Sequence, residues 1–336
     1  FLTYISKVFR RNIDTKVIAI TGSCGKTTLK ELLGNVLSKI SKVSISPKSY
    51  NNKFGVPLSL FNLKQNDEYG ILEVGMDKKG EIDYLSKIIE PNVGVITNIN
   101  YAHAKNFKNI KQIALAKSEI INNIRPNGFV VLNADDSFFE LHKKIAYKKN
   151  LKVISFGIKS QKANIKLLDI KQLGKKFKIN INLNNKKKYF LLSNNFKNDI
   201  YNILSAIAVI SIYKDIFKLN KNIFLNFKIP VGRGDHSVIK INNKKINLID
   251  QSYNSNPLSL KSAIRNYDQI DSKKSQKYLL IGDMLELGSH SAKLHKSITP
   301  MINQTKIDKV FVKGQMASLI FKNISKAKKG RILFNK

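Results

Sequence analysis

The sequence contains a single cysteine, which cannot form a disulfide within the chain. A disulfide-stapled secreted scaffold is therefore excluded. Long apolar runs are also missing, because the longest mostly apolar segment, residues 203–213, has 11 residues and is too short to span a bilayer. The first residues contain no apolar signal segment. The chain opens on Phe1 and not on Met, so we expect a fragment of a longer protein.

Acidic residues are scarce, with 23 against 59 basic residues and a net charge of +36. Such a charge raises the possibility of nucleic-acid binding. However, the lysines are scattered among Asn and Ile along the whole chain, and no aromatic and basic stripe resembles an RNA-binding sheet. We interpret the charge as a compositional bias on solvated surfaces, which predicts only nonspecific RNA binding at low salt. A basic P-loop nucleic-acid-binding ATPase is kept as the alternative from another functional class.

Apolar residues are plentiful enough for a sizeable core. They make up 43% of the 336 residues, and aromatic residues make up 9%. This composition excludes a disordered or collagen-like chain. At about 100–200 residues per domain, the length predicts roughly two domains, with three possible.

Short continuous apolar runs alternate with segments of helical spacing in the first part of the chain. The runs are typical of buried parallel strands, and we predict them at residues 17–20, 71–74, 93–96 and 129–132. Helices are predicted at residues 29–40 and 110–124. This alternation indicates a mainly parallel sheet with helices on both faces.

The pattern changes after residue 150. Short β-rich segments at 165–168, 177–183 and 189–192 predict antiparallel hairpins appended to the main sheet, followed by an apolar helix at 199–213. Residues 227–235 contain one proline and two glycines and form the best boundary between domains. Beyond it the βα alternation restarts. We predict strands at 246–249, 278–281, 309–312 and 331–334, and helices at 257–267, near 291–302 and ending around 324.

Residues 17–28, VIAITGSCGKTT, combine a strand, a tight glycine-containing loop and a helix start. Backbone N–H groups at a helix N-terminus, together with the helix dipole, favour a bound anion. Gly22 and Gly25 allow close approach of the backbone, Lys26 can reach terminal phosphates, and the hydroxyl of Thr27 suits Mg²⁺. The segment therefore predicts a nucleotide-binding loop.

Several further motifs resemble the Mur ligases. They are TGSCGKTT at 21–28, LEVGMDKKGEI at 72–82, TNINYAH at 97–103 and ALAKSEI at 114–120. Three others resemble more specifically the member that adds D-alanyl-D-alanine: YNNKFGVPLSL at 50–60, DQSYNSNP at 250–257 and GDMLELG at 282–288. The resemblance runs from about residue 16 to 336.

This resemblance implies an α/β fold with two domains. A P-loop central ATP-binding domain, residues 16–228, has a mainly parallel sheet plus antiparallel hairpins. A Rossmann-like α/β C-terminal domain, residues 229–336, follows it, and residues 1–15 are a linker remnant. By comparison with the family, we expect the N-terminal substrate domain and the end of the C-terminal domain to be missing.

The resemblance also implies the activity. These enzymes form an amide by activating a carboxylate with ATP as an acyl phosphate, which an amine then attacks. The implied partners are UDP-N-acetylmuramoyl-tripeptide and D-alanyl-D-alanine, in peptidoglycan precursor synthesis. We expect a monomer in the bacterial cytoplasm, without specific nucleic acid or a membrane span. The third-residue-adding Mur ligase and folylpolyglutamate synthase are the alternatives within the class.

The family's functional residues map onto particular positions of this sequence. The nucleotide is expected to contact Thr21, Gly22, Ser23, Cys24, Gly25, Lys26, Thr27, Thr28, Asn202, Arg233 and Asp250. Two Mg²⁺ ions are expected at Thr27, Glu73, His103 and Lys117, the last as a carbamate formed with CO₂. Catalytic roles are implied for Lys26, Glu73, His103, Lys117 and Arg233. Substrate contacts are implied for Asn51, Asn52, Tyr253, Asn254 and Asn256. Asp283 and Glu286 are predicted either to shape the dipeptide pocket or to cap a helix.

Overall fold

The computed structural model describes residues 1–193, 199–270 and 275–334. The chain forms two compact units. The first unit comprises residues 1–99 and 111–230, and the second comprises residues 100–110 together with the chain from Val231 onward.

The first unit is built on one mixed sheet. Its strands are β1 (Lys16–Thr21), β2 (Val43–Ile45), β3 (Tyr69–Glu73), β4 (Val93–Ile96), β5 (Phe129–Asn133), β6 (Lys152–Gly157), β7 (Ile165–Leu173), β8 (Lys176–Leu183) and β9 (Lys186–Ser193). Their order is β2-β3-β1-β4-β5-β6-β7-β8-β9. Pairing is parallel from β2 to β7 and antiparallel from β7 to β9. The predicted mixed α/β fold with appended antiparallel hairpins is therefore confirmed.

Helices surround this sheet. They are α1 (Leu2–Arg11), α2 (Lys26–Leu37), α3 (Gly55–Phe61), α4 (Glu81–Ile89), α5 (Ile110–Ser118), α6 (Phe139–Lys148) and α7 (Ile200–Ile210). Helix α7 packs against α2 and against strands β5, β6 and β7. Its apolar side chains are almost all buried, and burial of each stabilises the fold by about 1.5–3 kcal/mol. The core thus lies between α2, α7 and the centre of the sheet.

Strand β1 occupies an interior position in the parallel part, which suits residues that are apolar on both faces. Val17, Ile18, Ala19 and Ile20 are all fully buried, with β3 on one side and β4 on the other. The carboxyl ends of these three parallel strands therefore lie at the same edge of the sheet. The phosphate loop follows β1 at this edge, Glu73 ends β3, and Thr97 follows β4.

Strands β2 and β6 and helices α1, α3, α4 and α6 are not among the elements predicted from the sequence. Strand β6 has a polar residue, Ser155, within its apolar pattern. Ser155 is tolerated inside the fold because its hydroxyl donates a hydrogen bond to the side chain of Asn164. The helix predicted over residues 110–124 was too long, since α5 ends at Ser118 and a 3₁₀ segment, Glu119–Asn123, continues the chain.

The second unit contains a hairpin and a parallel sheet. The hairpin pairs β10 (Asp235–Ile241) with β11 (Lys244–Asp250), and the sheet has the order β12 (Tyr278–Gly282), β13 (Lys309–Lys313), β14 (Lys329–Leu333). Its helices are α8 (Pro257–Asp268), α9 (Ser291–Lys296), α10 (Thr299–Gln304) and α11 (Ala317–Asn323).

Two predictions for this unit were wrong in detail. The strand predicted at 246–249 does not restart a βα alternation, because it pairs antiparallel with β10, which was not predicted. The single helix predicted near 291–302 consists of α9 and α10, and Pro300 stands in the first turn of the latter. Proline has no N–H to donate and is favoured at such a position, where a new helix begins.

In the part of the chain that the structure describes, no helix combines the length and apolar character that crossing a membrane requires.

Candidate nucleotide and metal site

The phosphate loop connects β1 to α2 through two glycines with positive φ angles. Gly22 has a φ of 145°, and a Cβ atom there would lie 1.9 Å from Oγ1 of Thr97. Gly25 caps α2 with a φ of 82°, and a Cβ atom there would lie 2.6 Å from Oδ1 of Asn202. Neither position can hold a side chain without displacing its neighbour. The two glycines therefore supply the positive φ angles of the loop and let Thr97 and Asn202 approach its backbone closely.

Two residues after β4 hold the loop in shape. The backbone N–H groups of Ser23 and Cys24 donate to the backbone oxygen and to Oδ1 of Asn98, at 2.9 and 3.0 Å. The Cys24 carbonyl accepts hydrogen bonds from Thr97 Oγ1 at 2.6 Å and from Asn98 Nδ2 at 3.2 Å. Sequence reasoning named no role for Thr97 or Asn98. Their position at the carboxyl end of a strand adjacent to β1 was the signal that could have identified them.

The start of α2 offers an anion the positive charge of Lys26 and the backbone N–H groups of the first helical turn. The Nζ atom of Lys26 folds back over the loop and donates to the carbonyl of Gly22 at 3.0 Å. Thr27 and Thr28 follow in the first helical turn, where N–H groups have no carbonyl four residues earlier within the helix. The glycine cradle, the helix N-terminus and the ammonium together fit a nucleotide polyphosphate.

Oxygen ligands lie directly beside this loop. The hydroxyl of Thr27 donates to Oε2 of Glu73 at 2.7 Å, and Nδ2 of Asn51 donates to Oε1 of the same carboxylate at 2.8 Å. Glu73 is the last residue of β3 and is 2% exposed. A hydroxyl and a carboxylate at this distance form a donor set that fits Mg²⁺, which prefers oxygen ligands. The structure thus brings together two of the four residues that were predicted to bind metal.

Lys117 is buried in the same unit. It lies near the end of α5 with 1% of its surface exposed. Burial lowers its pKa well below the ordinary value, and the charge of Lys26 lowers it further, whereas Cys24 and Glu73 act in the opposite direction. The neutral amine is therefore formed at a lower pH than in an exposed lysine. A neutral amine is the form that reacts with CO₂, so this environment suits the predicted carbamate, which itself stays a prediction.

His103 belongs to the second unit. It has a φ of 54°, in the left-handed region, and its Nδ1 atom contacts Oε2 of Glu286, whose φ is 61°. Backbone of the same two segments is also joined, because the N–H of Lys105 donates to the carbonyl of Glu286 at 2.9 Å. The metal-binding role of His103 stays a prediction. The structure adds Glu286 as its partner, a relationship that sequence spacing does not show.

Asn202 stands where the sequence placed it, on helix α7 next to the phosphate loop. Its Oδ1 atom lies closest to the position that a Gly25 side chain would take, and its Nδ2 atom donates to Asp199 at 3.2 Å. Burial raises the pKa of Asp199 to about 6, which the hydrogen bond from Asn202 partly opposes. The polar end of α7 therefore borders the loop at Gly25, and the contact of Asn202 with the nucleotide stays a prediction.

The predicted residues of the second unit cluster around its first hairpin. The guanidinium of Arg233 lies 4.2 Å from the ring centroid of Tyr253, a cation–π contact. Asp250 accepts a hydrogen bond from the N–H of Ser252 at 2.8 Å, and hydrogen bonds from Ser252 lower its pKa. Tyr253 and Asn254 are exposed. Their contacts with nucleotide and substrate stay predictions.

Two other side chains of this unit have clear structural roles. Asn256 caps α8, since its Oδ1 accepts the N–H groups of Leu258 and Ser259 at 3.0 Å each. Asp283 accepts the N–H of Ala317 at the start of α11, at 2.7 Å. The geometry therefore favours the helix-capping interpretation of Asp283 over the pocket interpretation.

Comparison with known proteins places this geometry in a family. Residues 20–210 match the family described as the Mur ligase middle domain. A UDP-N-acetylmuramoyl-tripeptide–D-alanyl-D-alanine ligase of Buchnera aphidicola subsp. Acyrthosiphon pisum is 37% identical over 332 residues, which are 95% of this chain and 69% of the relative. The ligase of the same description from Bacillus subtilis is 30% identical, and the match covers 95% of this chain and 67% of the relative.

Solved structures agree with these relatives. MurF from Acinetobacter baumannii, in one of its crystal structures, superposes with a TM-score of 0.87 and is 28% identical in sequence. The match covers 98% of this chain and 70% of the other. The MurF ligase of Thermotoga maritima, solved in complex with ADP, is 25% identical with a TM-score of 0.86, covering 99% of this chain and 74% of the other. The resemblance seen in the motifs is confirmed, and the chain belongs to the Mur ligase family, with MurF ligases as its similar relatives.

Proposed function

We propose that this protein is an ATP-dependent ligase that joins D-alanyl-D-alanine to UDP-N-acetylmuramoyl-tripeptide. The observation that carries the proposal is the Thr27–Glu73 pair, which adjoins a glycine-lined phosphate loop within a Mur ligase middle domain. Relatives that are 30–37% identical and share most of this chain are described as ligases of these two substrates.

The reaction requires two transfers. The terminal carboxylate of the tripeptide attacks the γ-phosphorus of ATP, so that an acyl phosphate forms and ADP leaves. The amine of the dipeptide then attacks the acyl carbon, loses a proton and expels inorganic phosphate. Both steps develop negative charge on phosphate oxygens, and catalysis depends on positioning and on charge stabilisation.

The residues of the first unit divide this work. The first-turn N–H groups of α2 and the ammonium of Lys26 hold the phosphates. Thr27 and Glu73 hold Mg²⁺, which when bound neutralises charge on the phosphate oxygens. Lys117 as a carbamate would supply an anionic ligand for a second Mg²⁺, and the family resemblance also assigns a metal-binding role to His103, a residue of the second unit. The low exposure of Glu73 and Lys117 supports this arrangement, because interactions between charges strengthen where water is excluded.

The remaining predicted residues are assigned to ligands on the basis of the family resemblance. Arg233, Asp250 and Asn202 contact the nucleotide. Asn51, Asn52, Tyr253, Asn254 and Asn256 face the amino-acid and sugar-peptide substrates. We further propose domains at 16–228 and 229–336, a monomeric state, a cytoplasmic location and the use of two Mg²⁺ ions.

A substrate panel tests the proposal. Phosphate release is measured with Mg-ATP and UDP-N-acetylmuramoyl-tripeptide, alone and with D-alanyl-D-alanine, meso-diaminopimelate, lysine or glutamate. Stimulation by the dipeptide, with the amide product found by mass spectrometry, is the expected result. Stimulation by diaminopimelate, lysine or glutamate in its place would assign a different ligase specificity. ATP turnover stimulated only by RNA or DNA would support the nucleic-acid alternative.

A further inference from the structure

Lys30 is a fully buried lysine on the helix that follows the phosphate loop. Its side chain has no exposed surface, and it lies one turn after Thr27 on α2. Its Nζ atom donates to the carbonyls of Ser46 and Lys48, each at 2.5 Å, and lies 3.0 Å from Oε1 of Glu31. The two carbonyls thus accept hydrogen bonds from the ammonium, and the Glu31 carboxylate lies within ion-pair distance of it. A buried charge is tolerated only when it is paired in this way.

The two carbonyls belong to the loop between β2 and α3, residues 46–54, which we call the 46–54 loop. Lys48 has a φ of 45°, in the left-handed region that residues with a Cβ atom rarely adopt. Such a conformation persists where the surroundings over-determine it. Here the ammonium of Lys30 draws the carbonyls on either side of Pro47 to one point, which accounts for the unusual turn.

Both ends of this turn contact Glu73. The hydroxyl of Ser46 accepts the backbone N–H of Glu73 at 3.2 Å, and Asn51 donates to its Oε1 atom. The carbonyl of Asn51 also accepts the N–H of Gly75 at 2.8 Å. A Cβ atom on Gly75 would lie 2.8 Å from Cγ of Asn51, so the glycine leaves the space that this side chain fills. The 46–54 loop is therefore fitted closely around the end of β3.

We propose that Lys30 is a positioning residue for the metal-binding carboxylate. By holding the carbonyls of Ser46 and Lys48, it fixes the 46–54 loop so that Asn51 holds one oxygen of Glu73. The other oxygen is thereby directed at Thr27. The proposal rests on the proposed function only in assigning Mg²⁺ to Thr27 and Glu73. It also gives Asn51 a role toward Glu73 that is separate from its predicted contact with substrate.

Lys30→Met tests the first step, because methionine is unbranched and of similar length but donates no hydrogen bond. Lys188→Met is the matched control, since the Nζ atom of Lys188 also binds two carbonyls, those of Phe217 and Leu219 at 2.8 and 2.9 Å, elsewhere in the first unit. Hydrogen exchange is measured on the protein without nucleotide or metal. In Lys30→Met the 46–54 amides and Gly75 are expected to exchange about tenfold faster or more, from the loss of charged hydrogen bonds. Wild-type exchange there would overturn the proposal, and in Lys188→Met these amides keep the wild-type rate.

Metal dependence tests the second step. Calorimetry measures ADP binding over a range of Mg²⁺ concentrations for Lys30→Met, Asn51→Ala, the double variant and Lys188→Met. Lys30→Met and Asn51→Ala are each expected to raise the Mg²⁺ concentration for half-saturation by about 3- to 10-fold, a loss near that of one hydrogen bond. The double variant should need the same Mg²⁺ concentration for half-saturation as Asn51→Ala, because Lys30 acts through Asn51.

Three results would overturn the proposal. The first is a double variant whose Mg²⁺ requirement rises by the sum of the two single effects, and the second is an equal rise in Lys30→Met and Lys188→Met. The third is an unchanged Mg²⁺ requirement in Asn51→Ala. The last criterion applies even if Lys30→Met fails to fold, because Asn51 is only partly buried and is not among the residues of the apolar core. Neither measurement includes an amino-acid substrate. A failed substrate panel would therefore be distinguishable from a failed positioning role.

Discussion

The hydroxyl of Thr27 and the carboxylate of Glu73 lie 2.7 Å apart, although 46 positions separate them in the chain. This hydrogen bond joins the first turn of the phosphate-loop helix to the carboxyl end of β3. Both groups are oxygen ligands of the kind that Mg²⁺ prefers, which is the basis for proposing a metal-binding role for them.

Lys26→Ala should weaken nucleotide binding. The substitution removes a charge-assisted contact to phosphate, typically about 1.5–3 kcal/mol, so Mg-ATP affinity should fall about 10- to 100-fold. Calorimetry with Mg-ATP measures the change, with Lys188→Met as the control. An unchanged affinity in a folded Lys26→Ala protein would contradict the assignment of the phosphate loop.

Thr27→Val should impair metal-dependent binding while preserving the shape of the side chain. Valine cannot offer an oxygen to Mg²⁺, so the Mg²⁺ concentration needed for ADP binding should rise about tenfold, the equivalent of ~1.4 kcal/mol. Thr27→Ser retains the hydroxyl and should behave nearly as wild type. Equal behaviour of the valine and serine variants in calorimetry would exclude Thr27 as a ligand.

Gly22→Ala should disrupt the phosphate loop by collision as well as by strain. The added Cβ atom would overlap Oγ1 of Thr97, so we expect a loss of about 1–3 kcal/mol in the free energy of unfolding together with weak ATP binding. Gly80→Ala is the control, because Gly80 has a φ of 89° but nothing within 4 Å of the added atom. Thermal unfolding and ATP titration of the two variants separate collision from strain. Equal effects would show that the contact with Thr97 does not matter.

Lys117 should act as a carbamate in the loaded enzyme. Turnover should rise with added bicarbonate and fall at acidic pH, because protonation of the amine prevents its reaction with CO₂. Lys117→Ala should lose amide formation while ATP binding remains largely intact, and acetate should restore part of the activity by filling the vacated volume. A high-resolution map around the Lys117 Nζ atom checks the modification directly. An unmodified ammonium together with near-normal turnover of the alanine variant would refute it.

The lowered pKa of Lys117 also predicts how stability depends on pH in the absence of CO₂. Between the lowered pKa and the ordinary 10.5, the unfolded chain binds a proton that the folded protein does not. The free energy of unfolding should therefore rise with pH across this window. Lys117→Met removes the group, so its stability should be less sensitive to pH than that of the wild type. Denaturant unfolding at several pH values measures the difference, and identical slopes for the two proteins would contradict the burial of a titrating amine.

The parallel sheet and its hairpins were accessible from the sequence because their patterns are local. A run such as residues 17–20, apolar at every position, can be buried on both faces only in the middle of a sheet. Strands β2 and β6 were missed because one has only three residues and the other has a polar residue inside the fold. The partner of β11 was missed for a related reason, since exposed hairpin strands do not show the apolar run of a buried strand.

The phosphate loop was determined by the sequence itself. A strand, two glycines, a lysine and a hydroxyl residue follow one another, and their chemistry depends on backbone geometry within a few residues. The contacts around Glu73 were decided only by the tertiary structure. Asn51 and Ser46 reach Glu73 from a different strand connection, and Lys30 of helix α2 binds the carbonyls of that connection. Hydrogen bonds of this kind depend on strand order and register, which bring distant positions together, and no local pattern records them. A lysine among so many others gives no sign in the sequence that it is buried, so its role emerges only once the chain has folded around it.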